Sequence, residues 1–458
     1  MTTLTPNHIS SFCGDQPLVL YELNEVPWRV VDWYVYMRPE STLAYILKNS
    51  ITYTSFTRDE GELHPWTTWP TVHRGVTNKE HKISFINQNI ESADEKFPPI
   101  WHTLQSNGVK VGVFGSLQSY SPSIDPTYAF YVPDTFSPRD NTWPRKYSAY
   151  QRFNLRQVRQ DGAKARNIKL TASVISDVIQ MLRSGLQIKT CLALINHLVH
   201  EKFNSWHCSR RSVLQALVAF DFFEDALQNS HPGFCTFFTN HVAGMMHRYW
   251  KYAFPDDFSY ELSSGYDLFH SESILYAMDV ADTHLSKLIS YVSKRRGRLM
   301  IASSMGQEAV HRDAYQGEWR ITNIKLFLRS IGWTKPAADL LSMQPDFNFS
   351  FDSEDDASQF VELASLLTDS NGLSIWKRIR QVDNTVNLGL SPGETALVER
   401  RVWLDRKGSP SIPFHISEVG IDTLNRDPGT GYHQPYGVVM ITGEGIMPLD
   451  SRSKIDST

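Results

Sequence analysis

An α/β fold, with helices packed around a mostly parallel sheet, is what this chain predicts, on three observations. Short apolar runs recur at residues 17–23 (PLVLYEL), 109–114, 233–239 and 299–302, and each gives way to a polar or glycine-bearing turn. Amphipathic stretches with apolar residues three and four apart separate those runs, the longest over 271–292. Composition is ordinary for a globular protein, 41% hydrophobic and 21% charged over 458 residues, enough for one large α/β domain with insertions.

Taken in order, 17–23 reads as a strand, Asn24-Glu25 as a polar turn, and 29–37 and 41–49 as helices. Residues 51–58 alternate like a strand. The stretch 64–81, HPWTTWPTVHRGVTNKEH, reads as a loop running into a helix start, with Pro65 and Pro70 as breakers. Residues 101–107 form a short helix ended by Gly108, and 109–114 a buried strand. Helical periodicity returns at 168–182 and 212–226. The basic run Arg139, Arg145, Lys146, Arg152, Arg156 and Arg159 fits a solvated face better than an anion site. Strands at 233–239 and 299–302 flank the long helix, and 324–331 is helical. Residues 347–351 and 386–390 alternate, with a helix at 355–367 between them. A glycine-rich turn at 427–431 precedes a last strand at 437–441, and the polar tail 450–458 is expected to fray.

This divides the chain into a first part of the α/β core (1–136), a helical insertion (137–229), a second part of the core (230–336), a small α+β accessory unit (337–395) and a C-terminal return to the core (396–458). A net charge of −4 gives no global basic field for nucleic acid or an anionic membrane. Cys13, Cys191, Cys208 and Cys235 lie far apart without CxxC spacing, which excludes a zinc knuckle and fits a reducing compartment. No secretory signal is legible and no apolar run approaches the ~18 residues of a membrane span, so a cytoplasmic protein without a membrane partner is expected.

Five turns carry groups that do chemistry: Asn24/Glu25, Thr68, Asn240/His241 with His247, Ser303/Ser304, and His433. Strands of one sheet would bring them to one edge, where α/β proteins hold their ligands. The milder alternatives are ordinary turn histidines at His73 and His81, a packed His247, and Asn240 as a helix cap.

The pattern resembles the alkaline phosphatase superfamily, in particular its branch of type I phosphodiesterases and nucleotide pyrophosphatases. Thr68-Trp69-Pro70 with Gly75 and His81 looks like that family's nucleophile segment, with Lys82 where a glycine usually follows. Trp101 to Gly115 is similar to its next block. Thr239-Asn240 with His247 resembles the strand end that supplies metal ligands, and Gly431-Tyr432-His433 the late metal-histidine motif. The resemblance implies a three-layer αβα sandwich and in-line displacement at phosphorus, with Thr68 as nucleophile and two metals.

The sequence departs from the family where metals bind. Asn24 and Asn240 replace aspartates, and Ser304-Met305 replaces an Asp-His pair. The nucleophile-side metal site thus has no charged ligand unless Glu22, Glu25 or Glu308 supplies one. The metal candidates are Asn24, Glu25, Asn240, His241, His247 and His433. One divalent ion, zinc for preference, is expected rather than two, or none. The function implied is a metal-assisted hydrolase of phosphate esters using Thr68 on a small-molecule substrate. The alternative is an inactive superfamily member that binds a phosphorylated ligand or protein. Transfer of a phospho-group to a sugar or lipid acceptor would use the same site.

Overall fold

The structure, a computed structural model, describes residues 16–120, 124–159, 172–312, 317–343, 346–391, 394–405, 412–424 and 428–458. Two compact units emerge: 1–83 with 93–311 and 429–458, and 84–92 with 312–428.

Ten strands matter in the first unit: β1 (Leu18–Leu23), β2 (Ser50–Phe56), β3 (Val111–Phe114), β4 (Phe130–Val132), β5 (Phe234–Thr239), β6 (Arg298–Ala302), β7 (Gly306–Ala309), β8 (Gly431–Gln434), β9 (Tyr436–Gly443) and β10 (Leu449–Asp456). Eight of them form one sheet in the order β10-β2-β9-β6-β1-β5-β3-β4. Only β9 runs against the rest. The mostly parallel α/β class read from the apolar runs is thus the one observed.

The apolar runs also explain the layering. Successive side chains on β1 point to opposite faces. Val19, Tyr21 and Leu23 enter one core with Met245, Met278 and Leu285; Leu20 enters another with Trp69 and Trp101. A strand covered on both faces needs no polar alternation, which is why its sequence reads as one apolar block.

Helices α1 (Trp28–Met37), α2 (Thr42–Lys48), α3 (Pro65–Arg74), α4 (Ile188–Phe203), α5 (Arg211–Ser230), α6 (His241–Ala253) and α7 (Ser273–Lys294) belong to this unit. Two expectations are corrected. The stretch after His64 is a helix, α3, which starts with Pro65 in its first turn and runs through Pro70. Pro70 has no N–H for the Trp66 carbonyl four residues back, and that carbonyl instead accepts from the Gln118 amide at 3.3 Å. The polar tail is not frayed either: it is β10, parallel to β2 at the sheet edge, where alternating charge suits an exposed edge strand.

The helical insertion lies partly outside the described residues, the first four positions of the expected 168–182 helix among them. Half of its basic run is paired: Arg152 and Arg156 meet Asp177, and Lys146 meets Asp225. The second unit holds a four-stranded antiparallel sheet with a helix at Glu354–Ala364, around a core that includes Phe349, Phe360 and Trp376.

Candidate metal centre

β6, β1 and β5 are neighbours in register, so their carboxyl ends lie side by side. Asn24-Glu25 follows β1, Asn240 follows β5 and Ser303-Ser304 follows β6. The remaining groups arrive from α3, α6 and the hairpin-like pair β7/β8, in which His433 stands opposite Gln307.

Glu25 is the hub. Its backbone is left-handed, with φ 62°, an unfavourable conformation for a residue with a side chain and one that tends to persist where function holds it. Its buried carboxylate lies with Oε2 3.0 Å from His247 Nε2 and 3.4 Å from His433 Nε2. The three donor atoms all fall within 4.8 Å of one another. Gln307 Nε2 donates to the same Oε2, and Asn24 Nδ2 donates to Oε1 at 2.7 Å.

The tautomer of His247 follows from its other nitrogen. Nδ1 lies 2.9 Å from the Gly431 carbonyl, which can only accept, so Nδ1 carries the proton and Nε2 faces the carboxylate with its lone pair. A cation, a proton or a metal, must then sit between Nε2 and Glu25. Burial alone would raise the Glu25 carboxyl, but attraction to His433 and His247 and their hydrogen bonds outweigh it and hold it well below the usual carboxylate range. Burial alone would lower His247; attraction and hydrogen bonding to Glu25, with the Gly431 carbonyl, raise it instead. His433 Nδ1 is buried without a hydrogen-bond partner among the described residues.

Local backbone sets these rings. α6 breaks its helical geometry at Tyr249. Thr430 fills the break: its N–H donates to the His247 carbonyl at 2.7 Å, and its Oγ1 accepts from Lys251 N–H at 3.1 Å. A Cβ on Gly431 would come within 2.5 Å of the Met246 carbonyl, so the chain can approach α6 this closely only as glycine.

Of the sequence candidates, Glu25, His247 and His433 form the centre. Asn24 supports it and is itself fixed: its Oδ1 accepts from Trp69 Nε1 at 2.7 Å, and its Nδ2 also donates to Asn240 Oδ1 at 2.6 Å. Asn240 precedes α6 but makes no capping bond with its side chain. His241 is a correction. It is buried away from the centre, with Nδ1 on Thr239 Oγ1 at 2.7 Å and Nε2 on the Ala277 carbonyl at 3.0 Å, so neither nitrogen is available. Thr68 is fully buried, its hydroxyl 2.7 Å from Ser304 Oγ. Other polar groups of the 64–81 stretch are committed within the fold: His73 holds Glu22, Arg74 holds Asp94 and the Phe97 carbonyl, and His81 meets Thr71. Neither Arg74 nor Glu22 is thus available to a substrate or an ion, and Glu308 is exposed on β7.

No protein-family profile matches the chain, and no curated protein matches it. Among solved structures it is similar to murine ectonucleotide pyrophosphatase/phosphodiesterase 5 in an inactive form in complex with AMP, at 11% identity and TM-score 0.37 over 96% of this chain and 92% of that one. It is also similar to phosphonoacetate hydrolase from Sinorhizobium meliloti 1021 in complex with phosphonoformate, at 10% identity and TM-score 0.41 over 96% and 93%. The human ectonucleotide pyrophosphatase/phosphodiesterase 5 matches at 12% identity and TM-score 0.39 over 96% and 92%. Overlap this loose decides nothing about chemistry, which rests on the residues themselves.

Two contributors escaped the sequence. Gln307 had no motif, only its place after the β6 turn. His64 stacks on Trp66 with ring centres 4.3 Å apart and stands edge-on to His433 at 5.8 Å; the clustering of aromatics before Thr67 was the only signal.

Proposed function

We propose that the chain is a metal-dependent hydrolase of phosphate esters whose single ion is held by Glu25, His247 and His433. The observation that carries this is the spacing of donors. Ligands ~2.0–2.2 Å from one tetrahedral ion stand roughly 3.3–3.6 Å apart, and the carboxylate oxygen lies 3.0 and 3.4 Å from the two imidazole nitrogens. Zinc is the proposed ion, because two histidines and a glutamate with an open position are a catalytic zinc donor set. When bound, such an ion polarises phosphoryl oxygens and lowers the pKa of water.

The protein's own groups do the rest. Asn24 and Gln307 hold the carboxylate in place, an arrangement that stiffens a ligand and tunes its basicity. The Gly431 carbonyl fixes the His247 tautomer. His247 is the most exposed of the three, its side chain 33% accessible, so a ligand reaches the centre along its edge. Asn240 spends its Oδ1 on Asn24, which leaves its N–H groups to face an anion. Thr68 is the proposed nucleophile by resemblance; with its hydroxyl sealed against Ser304, attack from it requires α3 to shift. That same sealing favours a second reading, binding of a phosphorylated ligand without turnover.

Metal analysis with a chromogenic phosphodiester assay on the wild type, His433→Ala and Thr68→Val separates these. Loss of turnover in both variants supports a threonine nucleophile. Loss in His433→Ala alone supports attack by activated water. No turnover, with metal-dependent retention of a nucleoside monophosphate, supports the binding reading. A protein that takes up no metal ends the proposal. The sparse cysteines keep the cytoplasm as the proposed compartment.

A further inference from the structure

Far from this centre in sequence, α4 exposes a face that nothing among the described residues covers. Ile188, Leu192, Ile195, Leu198, Val199 and Phe203 are all exposed, from 46% at Val199 to 86% at Phe203. Their spacing of four, three, three, one and four places them along one side of a sixteen-residue helix, a stripe roughly 24 Å long at 1.5 Å per residue. The preceding helix, Ala172–Ser184, also exposes Val178, Ile179 and Leu182. Just past α4, Trp206 is partly exposed and packs on Tyr266 and Phe269. A continuous exposed apolar stripe on a water-soluble surface marks a contact with something apolar.

Charge identifies the occupant. The exposed ionic residues along this segment are Arg183, Lys189 and Lys202; Lys189 lies beside Lys287, with Glu224, which pairs with Lys287, and Asp221 nearby. Its carboxylates are withdrawn: Asp177 binds Arg152 and Arg156, and Glu201 binds Arg211 and His197. In a chain of net charge −4, a segment whose exposed ionic residues are all cations is not the default. A second copy fits it poorly. In a two-fold contact centred on Ile195 and Asn196, residue i faces residue 391 − i, so Lys189 meets Lys202 with no acid between them.

We propose that α4 lies on the surface of an anionic lipid bilayer, its apolar stripe in the acyl–headgroup boundary and its lysines and Arg183 among the headgroups. No described helix is long and apolar enough to cross a membrane, and the geometry is that of a helix lying in the interface plane, which needs no spanning segment. The sequence expectation of no membrane partner rested on the lack of a spanning segment and on the net charge of −4; the proposal rests instead on this local patch.

The test is co-sedimentation of the full chain with phosphatidylcholine vesicles, with and without phosphatidylserine, at low and raised salt. Binding is expected with phosphatidylserine, weakening as salt rises. Lys202→Gln should weaken it about fivefold, the worth of one surface lysine. Leu192→Ser and Ile195→Ser should each weaken it roughly tenfold or more. Circular dichroism and metal content should not change, because the substituted side chains point to solvent. No sedimentation with either vesicle overturns the proposal, as does equal binding to neutral vesicles. A dimer in light scattering that Leu192→Ser disperses also overturns it, assigning the face to a second copy.

Discussion

Glu25→Gln is the sharpest probe of the metal centre, because it keeps shape and removes charge. The carboxylate accepts from Asn24 at Oε1 and from Gln307 at Oε2, and Asn24 cannot turn round, since its own oxygen is committed to the Trp69 indole. A carboxamide has one oxygen. It must keep that oxygen toward Asn24 and turn its NH2 toward the Gln307 amide, donor against donor. An unmet buried donor costs about 2 kcal/mol. The first unit has about 330 residues, so an unfolding entropy of roughly 2.1 cal/mol/K per residue makes 1 kcal/mol worth about 1.4 °C and the metal-free variant about 3 °C less stable. Zinc is the larger signal. At a hundredfold excess over Kd the ion should add about 2.7 kcal/mol, or ~4 °C, to the wild type. The variant, with one ligand and the only negative charge gone, should gain under ~1 °C at the same zinc. Melting of chelator-stripped protein with and without zinc, alongside metal content, reads both effects. An equal zinc shift in wild type and variant would refute the assignment of Glu25, and no shift in the wild type would refute the site.

Gln307→Leu should leave the fold intact but weaken zinc binding 10- to 100-fold by isothermal calorimetry, the usual worth of a group that orients a ligand; an unchanged Kd would mean Gln307 does not orient Glu25. Thr68→Val preserves shape while leaving Ser304 Oγ without its partner, so about 1 kcal/mol of stability should go in denaturant titration. A cost near zero would show that the hydroxyl faces elsewhere. Acid should also weaken the protein. Burial lowers His81 to about 3 and His241 to about 4. The unfolded chain therefore takes up protons that the fold refuses, and the stability present above the unfolded value near 6.5 is lost as pH falls toward those folded values, about 2 kcal/mol each between pH 7 and 5. Asp134 acts in the opposite sense: burial raises it to about 6, and its contribution, lost as pH rises through 6, returns about 1 kcal/mol on acidification. Together these three groups cost about 3 kcal/mol, and His270 and His284, which burial also lowers, act in the same direction as His81 and His241, so the urea midpoint should fall at pH 5; a midpoint that does not move would count against these burials.

The fold was legible because its central strands are covered on both faces: 233–239 and 299–302 could be read from apolarity alone and appear as Phe234–Thr239 and Arg298–Ala302. What stayed hidden depends on partners distant in sequence. The tail Leu449–Asp456 looked frayed because an exposed edge strand keeps its charges, and only pairing with β2 makes it a strand. His241 looked like a ligand because it follows a strand end, but α6 winds it away onto the Ala277 carbonyl, while His247, six residues on and so on a different face, comes round to the centre. Spacing in sequence does not show which way a helix turns once its first residue is placed.

Backbone geometry also places the charge of the centre. The turn after β1 holds a single carboxylate, Glu25, one residue past Asn24. The left-handed backbone at Glu25 brings it back, and the two asparagines then serve as a hydrogen-bonded strut from Trp69 through Asn24 to Asn240 and Glu25. One negative charge between two imidazoles suits one divalent ion. Asn24, Asn240 and Ser304 bring no charge to these turns, and the negative charge of the cluster is that of Glu25, which is why removing that one carboxylate should cost more zinc binding than removing any neutral neighbour.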